Sequence, residues 1–187
     1  MVQTVIITAL ASAFLIVVLL AAVFQFAFLL DVTFGGHDFT TTRAARIKVA
    51  GILRQFNKDK SVLYDLGSCR GDFLFGVMRH SPNLRAFGVD NSRFRNRLCR
   101  IKAFLLRRPA VFLRGDLFDA DVSKADAAYL YLDQSLMEPL EKKLRNELKP
   151  GSIVITNTQH LPTWPVSQTV IVHPKKPEFE KLFVYVK

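Results

Sequence analysis

The first thirty residues carry no charged side chain, although the whole chain holds 26 Lys+Arg and 16 Asp+Glu. Within that stretch Val5 to Leu30 has only Thr8, Ser12 and Gln25 as polar members. As a helix this run is about 39 Å long at 1.5 Å per residue, enough to cross a ~30 Å hydrocarbon core with some tilt. A cleaved signal peptide would need a basic leader and a shorter apolar run. The reading is therefore a permanent single-pass membrane anchor over residues 1–30. Arg43, Arg46 and Lys48 follow the span and nothing basic precedes it. The positive-inside bias then puts the N-terminus outside and the rest of the chain in the cytoplasm. No Arg-rich, Ser-rich presequence is present, which leans the location toward a bacterial inner membrane over a mitochondrial one.

Every charge thus falls on the remainder, which has the density of an ordinary soluble surface and makes the chain +10 overall. Disorder, a disulfide scaffold and a multi-pass membrane protein are excluded. Cys69 and Cys99 are read as thiols in a reducing compartment. No Cys/His spacing suits a metal, so no metal site is expected.

Gly35-Gly36-His37-Asp38 reads as a short joint. Thr40 to Thr42 can cap a helix whose apolar face is Ala45, Val49, Ile52, Leu53 and Phe56. Residues 31–57 are accordingly a joint and leading helix, and 58–187 the main domain. That domain alternates apolar runs with helical patterns, which predicts an α/β fold with a largely parallel sheet. Strands are expected at Val62–Leu66, Ala86–Val89, Ala110–Leu113, Ala127–Leu132 and Ser152–Thr156. Thr169–Val172 and Leu182–Val186 are too close for a crossover helix and read as an antiparallel pair. Between them come helices with apolar faces Phe94, Leu98, Ile101, Leu105 and Leu136, Leu140, Leu144, Leu148. Pro139 fits the first turn of the latter.

Ligands of open α/β sheets bind at the carboxyl edge of the strands. Here that edge holds Asp65-Leu66-Gly67-Ser68-Cys69-Arg70-Gly71, then Asp90-Asn91, then Gly115-Asp116-Leu117. There is no G-x-G-x-x-G, no Walker loop and no Gly-x-Ser-x-Gly elbow. Gly67 and Gly71 allow a tight turn and close approach to a ligand. Asp65 favours a cation beside that loop, Asp90 suits a ribose diol, and Asp116 can meet an adenine edge. A ligand with adenine, ribose and positive charge but no phosphate fits these carboxylates, and S-adenosylmethionine is one.

The order Asp65-Leu-Gly-Ser, Gly88-Val-Asp90, Gly115-Asp116-Leu117 and Leu148-Lys-Pro-Gly151 resembles the class I, seven-β-strand methyltransferases. A narrower resemblance rests on Asp116-Leu-Phe-Asp-Ala-Asp-Val-Ser123, Gln134-Ser-Leu-Met-Glu-Pro-Leu-Glu-Lys-Lys-Leu144 and Leu161-Pro-Thr-Trp-Pro165. These are similar to membrane-anchored protein-lysine methyltransferases related to the enzyme acting on the mitochondrial ATP synthase c-subunit. The resemblance implies a Rossmann-like seven-stranded sheet with helices on both faces, preceded by one transmembrane helix. It implies S-adenosylmethionine as cofactor, held by Asp65, Gly67, Ser68, Gly71, Asp90, Asn91, Asp116 and Leu117. It also implies a lysine of a membrane protein as methyl acceptor. The family's glycine loop usually reads Gly-Ser-Gly-Asp-Gly-Arg; here Cys69 replaces the middle glycine and Arg70 the acid.

A lysine ammonium has no lone pair and must lose its proton before it can attack a methyl group. Asp133 either orients or deprotonates that amine, or only caps the helix near Gln134. Trp164 either walls the acceptor channel or packs on the core. His37, His80, His160 and His173 are scattered; His160 alone follows a strand end. Arg93, Arg97, Arg100 and Arg107 are expected on one stripe, either a solvated face or a contact for anionic lipid, with nucleic acid least favoured. The alternatives to lysine methylation are a lipid or quinone methyltransferase and a catalytically silent membrane-tethered module.

Overall fold

The computed structural model describes the backbone of residues 1–34 and 39–187, and the side chains of 1–29 and 39–187. The expected joint at Gly35–Asp38, with His37, lies outside the described residues. The chain divides into two units, Met1–His37 and Asp38–Lys187.

The first unit holds one helix, α1 (Val2–Phe34). Its stretch Val2–Leu29 is long and apolar enough to cross a membrane. Two of its hydroxyls are satisfied within the helix: Thr8 Oγ1 donates to the Thr4 and Val5 carbonyls at 3.0 and 2.9 Å. Ser12 Oγ does the same to Thr8 at 2.9 Å. This lets polar side chains sit in an apolar helix at little cost.

The second unit begins with α2 (Arg43–Gln55), which belongs to the globular body. Thr42 caps it, Oγ1 accepting the Ala45 N–H at 3.1 Å. Its stripe Ala45, Val49, Ile52 and Leu53 is buried. The elements that follow are β1 (Val62–Leu66), α3 (Asp72–Met78), β2 (Arg85–Asp90), α4 (Arg93–Leu105) and β3 (Ala110–Arg114). Then come β4 (Ala127–Leu130), α5 (Met137–Glu147), β5 (Ile153–Asn157), β6 (Gln168–Ile171) and β7 (Lys181–Val186). Seven strands form one sheet in the order β3-β2-β1-β4-β5-β7-β6. β1 to β5 are parallel; β7 runs antiparallel to both β5 and β6. This is the Rossmann-like methyltransferase fold.

Alternate strand residues face two cores. One packs α2 and α3 against Leu63, Ala127, Tyr129, Ile155 and Val184. The other packs α5 against Leu66, Ala128, Leu130, Val154 and Tyr185. Pro139 sits in the first turn of α5, where its missing N–H is harmless. Strand order reverses between β1 and β4, so their following loops part there and leave a crevice.

Three expectations are corrected. β4 ends at Leu130, so Tyr131 and Leu132 leave the sheet early. In α4 the buried residues are Arg95, Asn96, Cys99 and Ala103, while Ile101 and Leu105 of the expected apolar face are exposed. The inward stripe is shifted by about one residue, roughly 100° of rotation. The basic stripe also breaks up: Arg107 lies beyond the last residue of α4 at φ 49°, and Arg100 donates twice to the Phe112 carbonyl, at 3.1 and 3.0 Å.

Candidate active site

Asp65 is the penultimate residue of β1, between Gly88 of β2 and Tyr129 of β4. The chain then makes a tight loop with positive φ at Gly67 (90°), Cys69 (45°) and Gly71 (71°). Gly67 and Ser68 both donate their N–H to the Val89 carbonyl at 2.9 Å. A Cβ on Gly71 would lie 2.8–2.9 Å from ring atoms of Phe112 and Phe75, so only glycine fits that turn. Cys69 takes the same left-handed region without that freedom. Its carbonyl accepts the Cys99 thiol at 3.4 Å, and its Sγ accepts Arg95 Nη1 at 3.8 Å. Cys99 is core, and burial pushes its thiol pKa up to about 12.

Asp90 ties this loop to the next. Its Oδ2 accepts the Cys69 N–H at 2.9 Å, and its Oδ1 accepts the Ser92 N–H at 2.9 Å. Ser92 in turn caps α4 by accepting the Arg95 N–H at 3.2 Å. Asn91 is exposed on the same loop, its carbonyl taking Arg114 Nε at 3.4 Å.

A cleft of about 190 Å³ opens beside the loop, lined among others by Thr41, Asp65, Ser68, Phe73, Tyr129 and Tyr131. Asp65 is buried, and no hydrogen bond from a described residue reaches its carboxyl. Burial first, and then the neighbouring Asp90 charge, hold its pKa well above the usual carboxylate range. Ser68 Oγ is also buried without a hydrogen-bond partner. It lies where β1 and β2 approach closely: a Cβ on Gly88 would come within 2.7 Å of it. The cleft wall thus holds a buried acid without a hydrogen bond from a described residue, a group whose chemistry suits a polar, cationic ligand.

The far wall was not foreseen from the sequence. The Tyr129 hydroxyl bonds Thr41 Oγ1 at 2.7 Å and accepts Asn157 Nδ2 at 3.0 Å. Asn157 Nδ2 also donates to Glu180 Oε1 at 2.7 Å, and Thr42 Oγ1 donates to Glu180 Oε2 at 2.6 Å. This buried chain fixes the start of α2 over the cleft. Its one available signal was Asn157, a polar residue at the end of an apolar strand.

The remaining expected residues separate. Gly67 and Ser68 line the cleft, whereas Asp90, Asn91, Asp116 and Leu117 do not. Asp116 is exposed and closes its own turn, Oδ1 accepting the Phe118 N–H at 2.9 Å. Leu117 packs at the margin of the second core. Asp133 is exposed just past β4, and its Oδ1 accepts the N–H and hydroxyl of Ser135 at 2.9 and 2.8 Å, so it does cap the following turn. His160 stacks on Phe183 at 3.7 Å between centroids, and His173 Nε2 lies 3.2 Å from Glu180.

Trp164 is the correction. It is buried in the second core, donates Nε1 to the Val186 carbonyl at 3.1 Å, and lies under the Arg145 guanidinium. Val186 pairs with Ile153, the first residue of β5. Trp164 therefore sits at the amino edge of the parallel strands, opposite the cleft. The segment returns there because Thr163 donates its N–H to Glu141 of α5 at 2.9 Å, and its hydroxyl to the same carboxylate.

Comparison with known proteins agrees with this architecture. The ANTKMT methyltransferase domain profile matches residues 65–168. A protein-lysine N-methyltransferase of Saccharolobus islandicus is 27% identical over 113 residues, covering 59% of this chain and 70% of that one. A carboxy-S-adenosyl-L-methionine synthase of Nautilia profundicola is 28% identical over 109 residues, and the match spans only 47% of its length. Among solved structures, an RNA methyltransferase from Salinibacter ruber, crystallised with S-adenosyl-L-homocysteine, shares the fold. It has TM-score 0.69 and 24% identity, with 79% of this chain and 93% of that one covered.

Proposed function

This chain belongs to the ANTKMT methyltransferase domain family, and on that premise we propose that it transfers a methyl group from S-adenosylmethionine to a lysine side chain of a membrane protein. The observation that carries the reading is the buried Asp65 carboxyl, which faces the cleft beside the glycine loop with no hydrogen bond from a described residue. The chemistry of the pair fits the cofactor, since a carboxylate in that position is neutralised by a cation and not by a phosphate. The unpartnered Ser68 hydroxyl and the turn that only Gly71 permits fit it as well.

S-adenosylmethionine, when bound, supplies a methyl group on a positively charged sulfur. The chain's own task is to hold and orient. Asp65 and Ser68 would take the cationic end, and Asp90, at the end of β2, would meet the sugar. Asp116, Asn91 and Leu117 lie on the loops that would flank the base. The acceptor amine must arrive neutral, because in-line displacement needs a lone pair at the attacking nitrogen. Asp133, past the end of β4, is the group proposed to orient that amine, with its Oδ1 fixed by Ser135. The lysine acceptor is supported by the Saccharolobus relative. The membrane substrate is supported by α1, which we read as a single-pass anchor holding the enzyme at a bilayer, with the globular unit on the cytoplasmic side.

Calorimetry on the full chain in detergent tests the cofactor. Micromolar binding of S-adenosylmethionine and S-adenosylhomocysteine is expected, lost in Asp65→Asn and Asp90→Ala. Binding weakens as pH falls through the Asp65 pKa, since the protonated acid no longer attracts a cation. Incubation of membranes with methyl-labelled cofactor then tests the acceptor. Label in protein lysine supports the reading, and label in the organic extract replaces it with a lipid or quinone acceptor. No binding by the folded chain leaves only a tethered, silent module.

A further inference from the structure

The end of α4 presents an apolar surface that no described residue covers. Ile101, Phe104 and Leu105 are 57%, 82% and 71% exposed, and Leu106 and Val111 follow at 45% and 44%. They adjoin β3, the edge strand of the sheet. Scattered exposed leucines need no explanation, but a contiguous group around a fully presented phenylalanine marks an interaction surface.

The charge carried by the segment itself is of one sign. Asn91 to Arg108 contains seven basic residues and no acid. Three are engaged with the protein: Arg95 is buried, Arg100 holds the Phe112 carbonyl, and Lys102 pairs with Asp72. Arg97 lies one helical turn before Ile101 on the same face, and Arg107 and Arg108 follow Phe104 and Leu105 directly. An apolar strip rimmed by arginines is the pattern of a helix lying in a bilayer interface, apolar groups among acyl chains and guanidinium groups at the headgroups. A second copy of the chain would set these arginines against their own equivalents across a two-fold axis. A polyanion alone leaves the phenylalanine and leucines unexplained.

We propose that the C-terminal end of α4, with its turn into β3, docks into the headgroup layer of an anionic membrane. This rests on the anchor reading of α1, which keeps the globular unit beside a bilayer. The contact would fix which way the cleft faces, something a single tether does not do. Each arginine near an anionic leaflet favours the docked state by about fivefold.

The test uses the full chain carrying Phe104→Trp, incorporated in phosphatidylcholine vesicles with or without phosphatidylglycerol, the lipids brominated on their acyl chains. Wild-type protein, whose single Trp164 is 6% exposed, gives the background. The expected result is a blue shift and loss of most of the introduced tryptophan's emission in anionic vesicles. The quenching should be reversed by Arg97→Gln with Arg107→Gln. Flotation in high salt separates the two readings. Protein that floats with both vesicle types without quenching keeps the anchor and overturns the docking. Protein that floats only with anionic vesicles and is released by salt keeps the docking and overturns the anchor. Protein that floats with neither overturns both. Concentration-dependent burial of the tryptophan in detergent overturns the docking in favour of self-association.

Discussion

α4 and α5 have similar sequences in one sense: each repeats large apolar residues every three or four positions beside many charges. Their outcomes are opposite. α5 turns Met137, Leu140 and Leu144 fully into the second core. α4 leaves Ile101, Phe104 and Leu105 exposed and buries Arg95 and Asn96 beside Cys99 and Ala103. The difference lies in what holds each helix at its start. α5 is placed by packing on the sheet. The first turn of α4 is tied to the Gly67–Gly71 loop, through Asp90 to Cys69 and Ser92, and through Arg95 to the Cys69 sulfur. Site geometry sets the rotation of α4, and the apolar stripe goes where that rotation leaves it.

The comparison breaks most directly in stability. Leu140→Ala deletes a fully buried side chain and is expected to cost about 3 kcal/mol. Phe104→Ala removes a larger side chain from α4 and is expected to change stability by less than about 0.5 kcal/mol. Urea unfolding of both variants in the same detergent decides it. Equal losses would mean that α4 is rotated the other way and that no docking face exists.

Each helix also buries one charge near its start, and Glu141 of α5 is the better furnished. It accepts the N–H and hydroxyl of Thr163 and the Arg145 guanidinium Nε at 3.0 Å. Burial pushes its pKa up, but these donors outweigh burial and the net direction is down. Glu141→Ala deletes the hydrogen bonds from Thr163 and Arg145 to a charged acceptor, an expected loss of about 2 kcal/mol at neutral pH. Because the folded pKa lies below the unfolded one, the stabilisation is complete above the unfolded value of about 4.3 and disappears as pH falls through the folded value. The variant's deficit should therefore shrink in acid.

Asp65 has the opposite sign. Its folded pKa is raised, so the native state holds the proton longer, and stability falls as pH rises from the unfolded value of about 3.9 through the folded one. Asp65→Asn removes that penalty. The variant is expected to melt higher than wild type at neutral pH in the absence of ligand while losing cofactor binding. A variant that melts lower would mean that the carboxyl has a structural partner and is not held in reserve for a ligand.

The same contrast explains how much the sequence disclosed. Val62–Leu66, Gly67 to Gly71 and the Pro150-Gly151 stop are legible because local chemistry determines them: continuous burial, positive φ, a broken helix. Asp90 reads as the end of β2 and does end it, and three successive threonines allow the cap that Thr42 supplies. The face of α4 was not legible, since periodicity gives the width of a stripe and not the contact that orients it. Trp164 was misplaced for a similar reason: its loop is pulled to the amino edge by Glu141, a charged residue that reads as solvent-facing. The Tyr129–Asn157–Glu180 chain joins residues far apart in sequence, and no local pattern announces such a partnership.

The smallest effect concerns the loop itself. Cys69 is held at φ 45°, where a side chain costs about 1–2 kcal/mol relative to right-handed backbone. Glycine removes that strain but adds about 0.5–1 kcal/mol of backbone entropy to the unfolded chain. Cys69→Gly should therefore stabilise the globular unit by only about 0.5 kcal/mol, because the two terms nearly cancel. Its effect on cofactor binding should be clearer, since the Cβ and Sγ are removed from the cleft wall. Tighter S-adenosylhomocysteine binding with almost unchanged urea stability is the expected pair of results. A loss of more than about 1 kcal/mol would show that the weak contact from Arg95 to the cysteine sulfur holds the loop in place. The rotation of α4 would then depend on the cysteine as well as on Asp90.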